Sequence, residues 1–354
     1  MTSRRKSRQD VSAACARLRS CRVDLNESSL ACSFSPMVSV TMSVLCRVLT
    51  RGLFRGQLQR PSPAGLQYFC SGVSRLDGGQ RDSAALSTSP VNLSYDVYDG
   101  KEDGVPLVFL HGLFGSKSNF TSIAKSLVQR TGRKVLTVDA RNHGNSAHSP
   151  GLTYEAMTND LKHLLNQLHI GKCILIGHSM GGKTAMTTAL SQPSLVERLV
   201  VVDISPVPTS ARTFMKGYID AMKEVKIPSN IPRSTARRVA EDQLRKHVKE
   251  HSVRHFLLTN LVEQNGHYAW RINLEAISNH LMDLMGFPEF NTTYDGPTLF
   301  LGGSNSEYVS SEDYPEIQRL FPYADIQYIP DAGHWIHADK PLDFISSIIT
   351  FVQS

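Results

Sequence analysis

Residues 174–184 read ILIGHSMGGKT, and here two glycines flank one serine where an apolar run gives way to helix-forming residues. The apolar run bounded by glycine predicts a buried strand, and the residues that follow predict a helix. A tight strand-to-helix turn strains its central residue and lifts that side chain clear of the sheet, while Gly177 and Gly181 let the two backbones pass closely. Ser179 is therefore a candidate nucleophile, and a glycine-bearing turn with an incidental serine is the alternative.

Short apolar runs rich in β-branched residues alternate with helix-forming segments from residue 91 onward. In residues 152–168 the apolar side chains recur with a helical period. This alternation predicts an α/β fold in which a mostly parallel sheet is covered by helices on both faces, with ligands bound at the carboxyl ends of the strands. The predicted strands are Leu93–Tyr98, Leu107–Leu110, Val135–Val138, Cys173–Ile176, Leu199–Val202, Thr298–Leu301 and Ile326–Ile329.

Residues 206–294 interrupt the alternation with a long, charged helical pattern and few strand signals. We interpret this segment as a helical insertion over the carboxyl edge of the sheet, which makes it a lid. The charges of residues 234–262 are explained most simply as a solvated outer face, and a membrane or partner surface is the alternative.

Charge divides the chain into two parts. The first 90 residues contain 13 Arg and Lys against 5 Asp and Glu, whereas the remaining residues contain 25 against 27, so the net charge of +6 comes from the N-terminal part. Because the body is not basic, its composition argues against nucleic-acid binding. We interpret residues 1–90 as a basic disordered tail and residues 91–354 as one folded domain.

The cysteines follow the same division, because five of the six lie in the tail and only Cys173 lies in the body. A single cysteine allows neither a disulfide framework nor a cysteine-based metal site in the body. The body is therefore predicted to be a reduced domain that is stabilised by its apolar core, and no metal site is predicted.

The tail contains the segment MSVLCRVLTRGLFRGQLQR at residues 42–60, in which three arginines recur at every fourth residue among apolar ones. No acidic residue occurs over residues 28–76. This amphipathic, arginine-rich and acid-poor pattern is typical of a mitochondrial presequence, which we place at about 42–75. A secretory signal with residues 37–49 as its apolar region is the rival interpretation, and the arginine inside that short run argues against it and against a transmembrane helix.

A nucleophilic serine needs a general base and an acid that orients the base. His334 lies in IPDAGHWIHADKP, just after the last predicted strand, where its loop would reach the sheet edge that presents Ser179. His337 follows towards the final helix and is interpreted as a packing or surface residue. The remaining candidates, for which a turn or supporting role is the default, are His111, His143, His148 and His178.

Backbone amides at two strand ends could stabilise an oxyanion. The run LVFLHGLFGSKSNF ends a predicted strand just before Leu113, and Met180 follows the candidate nucleophile. The N–H groups of Leu113 and Met180 are therefore candidates for an oxyanion hole. The run LTVDARNHGNSAHSP follows the next strand, and we interpret its polar residues as turn chemistry that supports the floor of the site.

Together these runs resemble the α/β-hydrolase fold family over residues 91–354, and three of them are similar to a mitochondrial branch and its bacterial esterase relatives. The resemblance implies a hydrolase of lipid or acyl esters in the mitochondrial matrix, with diacylglycerol-like esters among its substrates. It also implies an association with the 2-oxoglutarate dehydrogenase complex. The motifs that carry it are His111-Gly112-x-x-Gly115, Asp139-x-Arg141-x-x-Gly144-x-Ser146, Gly177-x-Ser179-x-Gly181 and Gly333-His334.

The acid departs from the pattern that is common in this family. Many relatives place an Asp after the strand that corresponds to PTLFLGGSNSEYV, but the loop here offers none. Asp203 ends the preceding strand, 24 residues after Ser179, and an acid at that strand end is the other arrangement known in the fold. We favour Asp203 and keep Glu275 and Glu307 as alternative acids. A purely structural role for Asp203 would be to cap a helix or loop.

The function predicted from these residues is hydrolysis of a carboxylic ester through an acyl-enzyme intermediate, with neither a metal nor an organic cofactor. A serine at the turn argues against dehalogenase and epoxide-hydrolase chemistry, which proceed through an aspartate ester. An acyl thioesterase would use the same residues and is the nearest alternative. A binding or scaffold module that has kept the pocket without turnover is the alternative from a different class.

Overall fold

The computed structural model describes residues 89–210 and 212–354. The predicted presequence and the rest of residues 1–88 lie outside the described residues, so the tail and the domain boundary near residue 90 stay predictions.

A seven-stranded sheet forms the centre of the described region, and two further strands pair in a separate hairpin. The strands in chain order are β1 (Tyr95–Tyr98), β2 (Leu107–Leu110), β3 (Val135–Val138), β4 (Cys173–His178), β5 (Val196–Val202), β6 (Leu261–Gln264), β7 (His267–Trp270), β8 (Thr298–Gly303) and β9 (Ala324–Ile329). The sheet order is β1-β3-β2-β4-β5-β8-β9, with β1 antiparallel to β3 and the other neighbours parallel. Each predicted strand is present, and the α/β-hydrolase fold is confirmed.

Helices cover both faces of this sheet because successive side chains of a strand point to opposite faces. Val108 of β2 joins the apolar cluster under one set of helices, and its neighbours Leu107 and Phe109 join the cluster under the other set. The helices in chain order are α1 (Thr121–Thr131), α2 (Tyr154–Gln167), α3 (Met180–Ser191), α4 (Arg212–Glu224), α5 (Arg233–Leu244), α6 (His251–Leu257), α7 (Leu274–Asn279), α8 (Leu281–Met285), α9 (Tyr314–Leu320), α10 (Ile336–Asp339) and α11 (Pro341–Gln353). Helices α2, α3 and α9 pack on one face, and α1 and α11 pack on the other.

The predicted lid is helical, as expected, and contains α4 to α8 together with a small hairpin of β6 and β7. A third apolar cluster lies beneath it and joins lid residues such as Ile219 and Leu257 to Leu113 and Met180 of the body. The lid is therefore anchored by burial of apolar surface directly beside the candidate site.

A buried ion pair connects the loop after β3 to α2. Arg141 Nε and Nη2 donate to the two carboxylate oxygens of Asp160 at 2.6 and 2.7 Å, and both side chains are almost completely buried. Asp160 Oδ1 also accepts a hydrogen bond from the N–H of Val91 at 2.7 Å. Because a buried charge is stable only beside an opposite charge, this pair holds the loop after β3 against α2.

Asp160→Asn should therefore lower the free energy of unfolding by about 3–5 kcal/mol, because it removes the buried carboxylate that accepts two hydrogen bonds from the guanidinium of Arg141. Denaturant unfolding followed by circular dichroism measures this loss. Asp220→Asn is the matched control, since Asp220 forms an exposed pair with Lys216, and it should cost less than about 0.5 kcal/mol. Equal costs for the two variants would contradict a structural role for the buried pair.

Candidate active site

Ser179 lies between β4 and α3 in a strained backbone conformation, with φ 53° and ψ −117°. The flanking glycines make this turn possible, because a Cβ at Gly177 would lie 2.1 Å from the carbonyl oxygen of Gly181. A Cβ at Gly181 would lie 2.3 Å from the carbonyl oxygen of Leu110. The N–H of Ser179 donates to the carbonyl of Val202 on β5 at 3.0 Å, so the turn is also tied to the neighbouring strand.

The structure brings Ser179, His334 and Asp203 together. His334 Nδ1 lies 2.7 Å from Asp203 Oδ2, and His334 Nε2 lies 3.1 Å from Ser179 Oγ. Because a carboxylate only accepts, the proton of the neutral imidazole is on Nδ1 and the lone pair of Nε2 faces the serine hydroxyl. This geometry makes His334 able to take the proton of Ser179.

The carboxylate of Asp203 is fully buried and is fixed by two further donors. The N–H of Gly303 donates to Oδ1 at 2.8 Å, and the hydroxyl of Ser306 donates to Oδ2, the oxygen that also binds His334. Gly303 is the last residue of β8, and Ser306 lies in the loop that follows, where many relatives have an Asp and this chain has none. That loop therefore supports an acid at the end of β5, and sequence analysis missed Ser306 because a serine in a polar loop carries no signal of its own.

The two alternative acids lie elsewhere. Glu275 is exposed on α7 and accepts a hydrogen bond from Lys223 Nζ at 2.8 Å, and this ion pair lowers the pKa of its carboxyl. Glu307 is exposed in the loop after β8 and makes no hydrogen bond to His334. Asp203 is thus the acid that the geometry pairs with His334.

Leu113 and Met180, the two candidates for the oxyanion hole, both lie beside Ser179. Both line one small cavity together with Ser179. Met180 is the first residue of α3, so its N–H has no carbonyl one turn earlier and is free to bind a ligand atom. The positive end of the α3 dipole points to the same place, which favours a negative oxygen there.

Two histidines that the sequence placed in supporting roles shape this part of the site. His178 Nε2 donates to the carbonyl of His334 at 2.8 Å and so positions the loop of the base. His111 Nε2 accepts from the N–H of Ala140 at 3.0 Å, which leaves His111 Nδ1–H to donate to the carbonyl of Gly112 at 2.8 Å. Burial lowers the pKa of His111 to about 4 and lowers the pKa of His178 well below its ordinary value, so both rings are neutral near pH 7.

His337 was expected to be a packing or surface residue, and the structure shows it as a buried packing residue. Its ring lies 4.9 Å from that of Phe120 and 4.8 Å from that of His178, measured between centroids. It also lines the pocket that contains Ser179. Burial lowers the pKa of His337 to about 4, which keeps this wall of the pocket uncharged near pH 7.

Lys183, one turn along α3 from the nucleophile, ties the catalytic helix to the lid. Its Nζ donates to the carbonyl oxygens of Met285 and Gly286 at 3.0 and 2.8 Å, at the carboxyl end of α8. The side chain is buried, and burial lowers its pKa to about 7. Sequence analysis read this residue only as a helix former, because the partners of a lysine that lie 102 and 103 residues away leave no local pattern.

A mainly apolar pocket of about 260 Å³ opens over Ser179. Tyr308 stacks on His334 with a ring separation of 4.0 Å, and Phe256 of α6 packs against Trp335 at 5.7 Å. The lid and the loop of the base thus form one apolar wall beside the nucleophile. The lid contributes Phe214, Met215, Tyr218, Val253, Phe256 and Leu257 to this pocket.

Comparison with known proteins agrees with this fold. The family model described as alpha/beta hydrolase fold matches residues 105–341. The chain is 77% identical over 317 residues to a Danio rerio protein named sn-1-specific diacylglycerol lipase ABHD11, covering 90% of this chain and 100% of the relative. It is 53% identical to the Mus musculus protein of the same name, covering 84% of this chain and 96% of the relative. A solved marine microorganism esterase is 36% identical with a TM-score of 0.69, covering 74% of this chain and 99% of that one.

The protein is a serine ester hydrolase. Its mostly parallel sheet carries a serine on a strained turn, and the relatives just described are named as esterases and lipases. The chain belongs to the α/β-hydrolase fold family.

The identity of the acid can be tested by exchanging carboxylates for amides. Asp203→Asn should lower kcat by roughly 10³–10⁴, because an amide can donate to Nδ1 and hold the imidazole in the wrong tautomer. Glu275→Gln and Glu307→Gln are matched controls that should leave kcat within about twofold, since neither carboxylate contacts the base. Steady-state hydrolysis of a chromogenic ester gives kcat, and thermal unfolding shows whether each variant is folded. A folded Asp203→Asn variant with normal kcat, or a large loss of kcat in Glu275→Gln, would show that Asp203 is not the acid of the triad.

Proposed function

We propose that Ser179, His334 and Asp203 form the catalytic triad of a lipase-type ester hydrolase. The observation that carries this proposal is the continuous chain of contacts from Asp203 Oδ2 through both nitrogens of His334 to Ser179 Oγ. Each residue comes from a different strand end, and their convergence on one apolar pocket supports catalysis over a purely structural turn.

In the first half-reaction His334 Nε2 takes the proton of Ser179 as the hydroxyl oxygen bonds to the ester carbonyl carbon. The negative oxygen that develops binds the N–H groups of Leu113 and Met180. When the ester C–O bond breaks, His334 gives its proton to the departing alcohol, and the acyl group stays on Ser179. Water then repeats the sequence, with His334 again as base, and releases the carboxylic acid.

For the substrate we infer a long-chain diacylglycerol, cleaved at its primary ester. The lid and Trp335 line the pocket with apolar side chains, which suits an acyl chain better than a charged group. The Danio rerio and Mus musculus relatives are named for sn-1-specific cleavage of diacylglycerol. The match to the Danio rerio relative covers the whole length of that protein. None of the helices that the structure describes is both long and apolar enough to cross a membrane.

Phe256→Ala tests this substrate, because it removes an apolar side chain from the pocket wall against which we expect a long acyl chain to pack. The kcat/KM for a long-chain diacylglycerol should fall by roughly 10- to 100-fold, whereas that for an acetyl ester should change less than about threefold. Tyr323→Ala removes an aromatic ring that is 70% exposed and absent from the pocket lining, and it should change neither value. Assay of diacylglycerols with distinguishable chains identifies the position cleaved.

Three outcomes would contradict the substrate assignment. The first is an equal loss of kcat/KM for long-chain and acetyl esters in Phe256→Ala. The second is preferential release of the sn-2 chain, and the third is faster hydrolysis of a matched acyl thioester. The last would make the protein a thioesterase that uses the same residues.

We also propose that the enzyme acts in the mitochondrial matrix, on the basis of the spaced arginines and missing acids in residues 42–75. Residues 42–90 fused to a fluorescent reporter should direct it to mitochondria with removal of the tail, and exchange of Arg47, Arg51 and Arg55 for glutamine should abolish import. Microscopy and the mass of the imported reporter measure both effects. Secretory or diffuse fluorescence of the unaltered fusion would refute this proposal.

The resemblance also implied an association with the 2-oxoglutarate dehydrogenase complex. The names of these two relatives mention no such complex, so the association stays a prediction. Co-purification of the complex with the tagged protein from mitochondria would test it, and its absence from the purified material would refute it.

A further inference from the structure

We propose that the lid carries a binding site for a zinc-class divalent cation, formed by Glu241, His251 and His255. One ligand atom from each of these three residues lies within 4.8 Å of the other two. Glu241 lies on α5 and both histidines lie on α6, so a bound ion would bridge two neighbouring helices. This site is separate from Ser179 and takes no part in the ester hydrolysis proposed above.

The two histidines are four residues apart on α6 and therefore lie on one face of the helix. Their ring centroids are 4.0 Å apart. His251 Nε2 lies 3.7 Å from Glu241 Oε1, and His255 Nε2 lies 3.7 Å from Glu241 Oε2. In a tetrahedral zinc site with bonds of about 2.0–2.1 Å, ligand atoms are about 3.3 Å apart. The three ligand atoms here lie within 4.8 Å of one another, so rotation of the exposed side chains has to shorten these distances by at most about 1.5 Å.

The ligand set determines which ions fit. Two imidazoles and one carboxylate suit zinc and its neighbours in the first transition series, and a water would complete the tetrahedron. Calcium and magnesium prefer oxygen ligands, of which the site offers only a single carboxylate. The exposure of both histidine side chains, 66% and 55%, leaves an open path for the ion and its water.

Two arginines also face Glu241, and neither blocks the site. Arg254 Nε lies 3.6 Å from Glu241 Oε1, and its Nη1 donates to the carbonyls of Val248 and Lys249, which holds its guanidinium beneath the carboxylate. Arg245 is 61% exposed and lies 3.8 Å from Glu241, so it can turn into solvent when a cation binds. The positive charge nearby favours the ionised carboxylate that a metal ion requires, and it also repels the cation and so lowers the affinity.

The position of the site links it to the pocket. The side of α6 opposite the histidines contributes Val253, Phe256 and Leu257 to the wall over Ser179. A cation shared by Glu241 and the histidines would hold α6 against α5 and thereby stabilise this wall. Binding should therefore raise the thermal stability of the lid without being required for chemistry at the serine.

Calorimetric titration of the full-length protein with Zn²⁺, and with Co²⁺ followed by its d–d absorption, tests the site. The five cysteines of the tail can also bind zinc, so the decisive quantity is the difference between variants. The double variant His251→Gln, His255→Gln should lose one equivalent of bound ion, and the tetrahedral cobalt absorption with nitrogen and oxygen ligands should disappear. Glu241→Gln should weaken binding at the same site at least about tenfold.

His247→Gln is the matched control. His247 is an exposed lid histidine that faces one carboxylate, Glu224, at 3.7 Å and has no second histidine beside it. It should retain the full stoichiometry and the rise of a few degrees in melting temperature that Zn²⁺ produces in the unaltered protein. Binding and stabilisation that persist unchanged in the double variant, or that are equally lost in His247→Gln, would overturn the proposal. These readouts do not use catalysis, so they are independent of whether the proposed function is right.

Discussion

The strained turn at Ser179 is the constraint on which the rest of the site depends. A side chain with positive φ at this position costs about 1–3 kcal/mol, and the fold must supply that energy from elsewhere. It does so through close packing, because Gly177 and Gly181 have no room for a Cβ, and through the hydrogen bond from the Ser179 amide to β5. The hydroxyl is thereby held at the sheet edge, where the ends of the other parallel strands bring their side chains.

The base and the acid are positioned by the same sheet. Asp203 also has positive φ, and its N–H bonds to the carbonyl of Leu301 on β8, so the acid is fixed at the end of its strand just as the serine is. The loop after β9 then needs only to bring His334 between them, and His178 anchors that loop from the residue next to the nucleophile. The geometry of the proposed triad is thus a property of the packed sheet, while the lid contributes apolar side chains to the wall of the pocket.

Much of this arrangement was predictable from local sequence. Buried parallel strands are short apolar runs, and the G-x-S-x-G turn has a steric reason that can be read from the letters, so the fold and Ser179 followed directly. His334 followed from its position after the last strand. The preference for Asp203 over Glu275 and Glu307 came from the other arrangement known in the fold and not from local pattern, because the acid's position depends on contacts between strand ends that are about a hundred residues apart in the chain. Ser306 and Lys183 were missed for the same reason.

The central claim is that Ser179 is a nucleophile activated by His334, and covalent trapping tests it most directly. The full-length protein would be incubated with a fluorophosphonate probe, digested and analysed by mass spectrometry, with a folded His334→Ala variant as control. We expect one phosphonylated peptide, modified at Ser179, with activity lost in proportion to labelling, and a rate of labelling at least about 10³-fold slower in the variant. Absence of the adduct, or loss of activity through labelling of another serine, would contradict it.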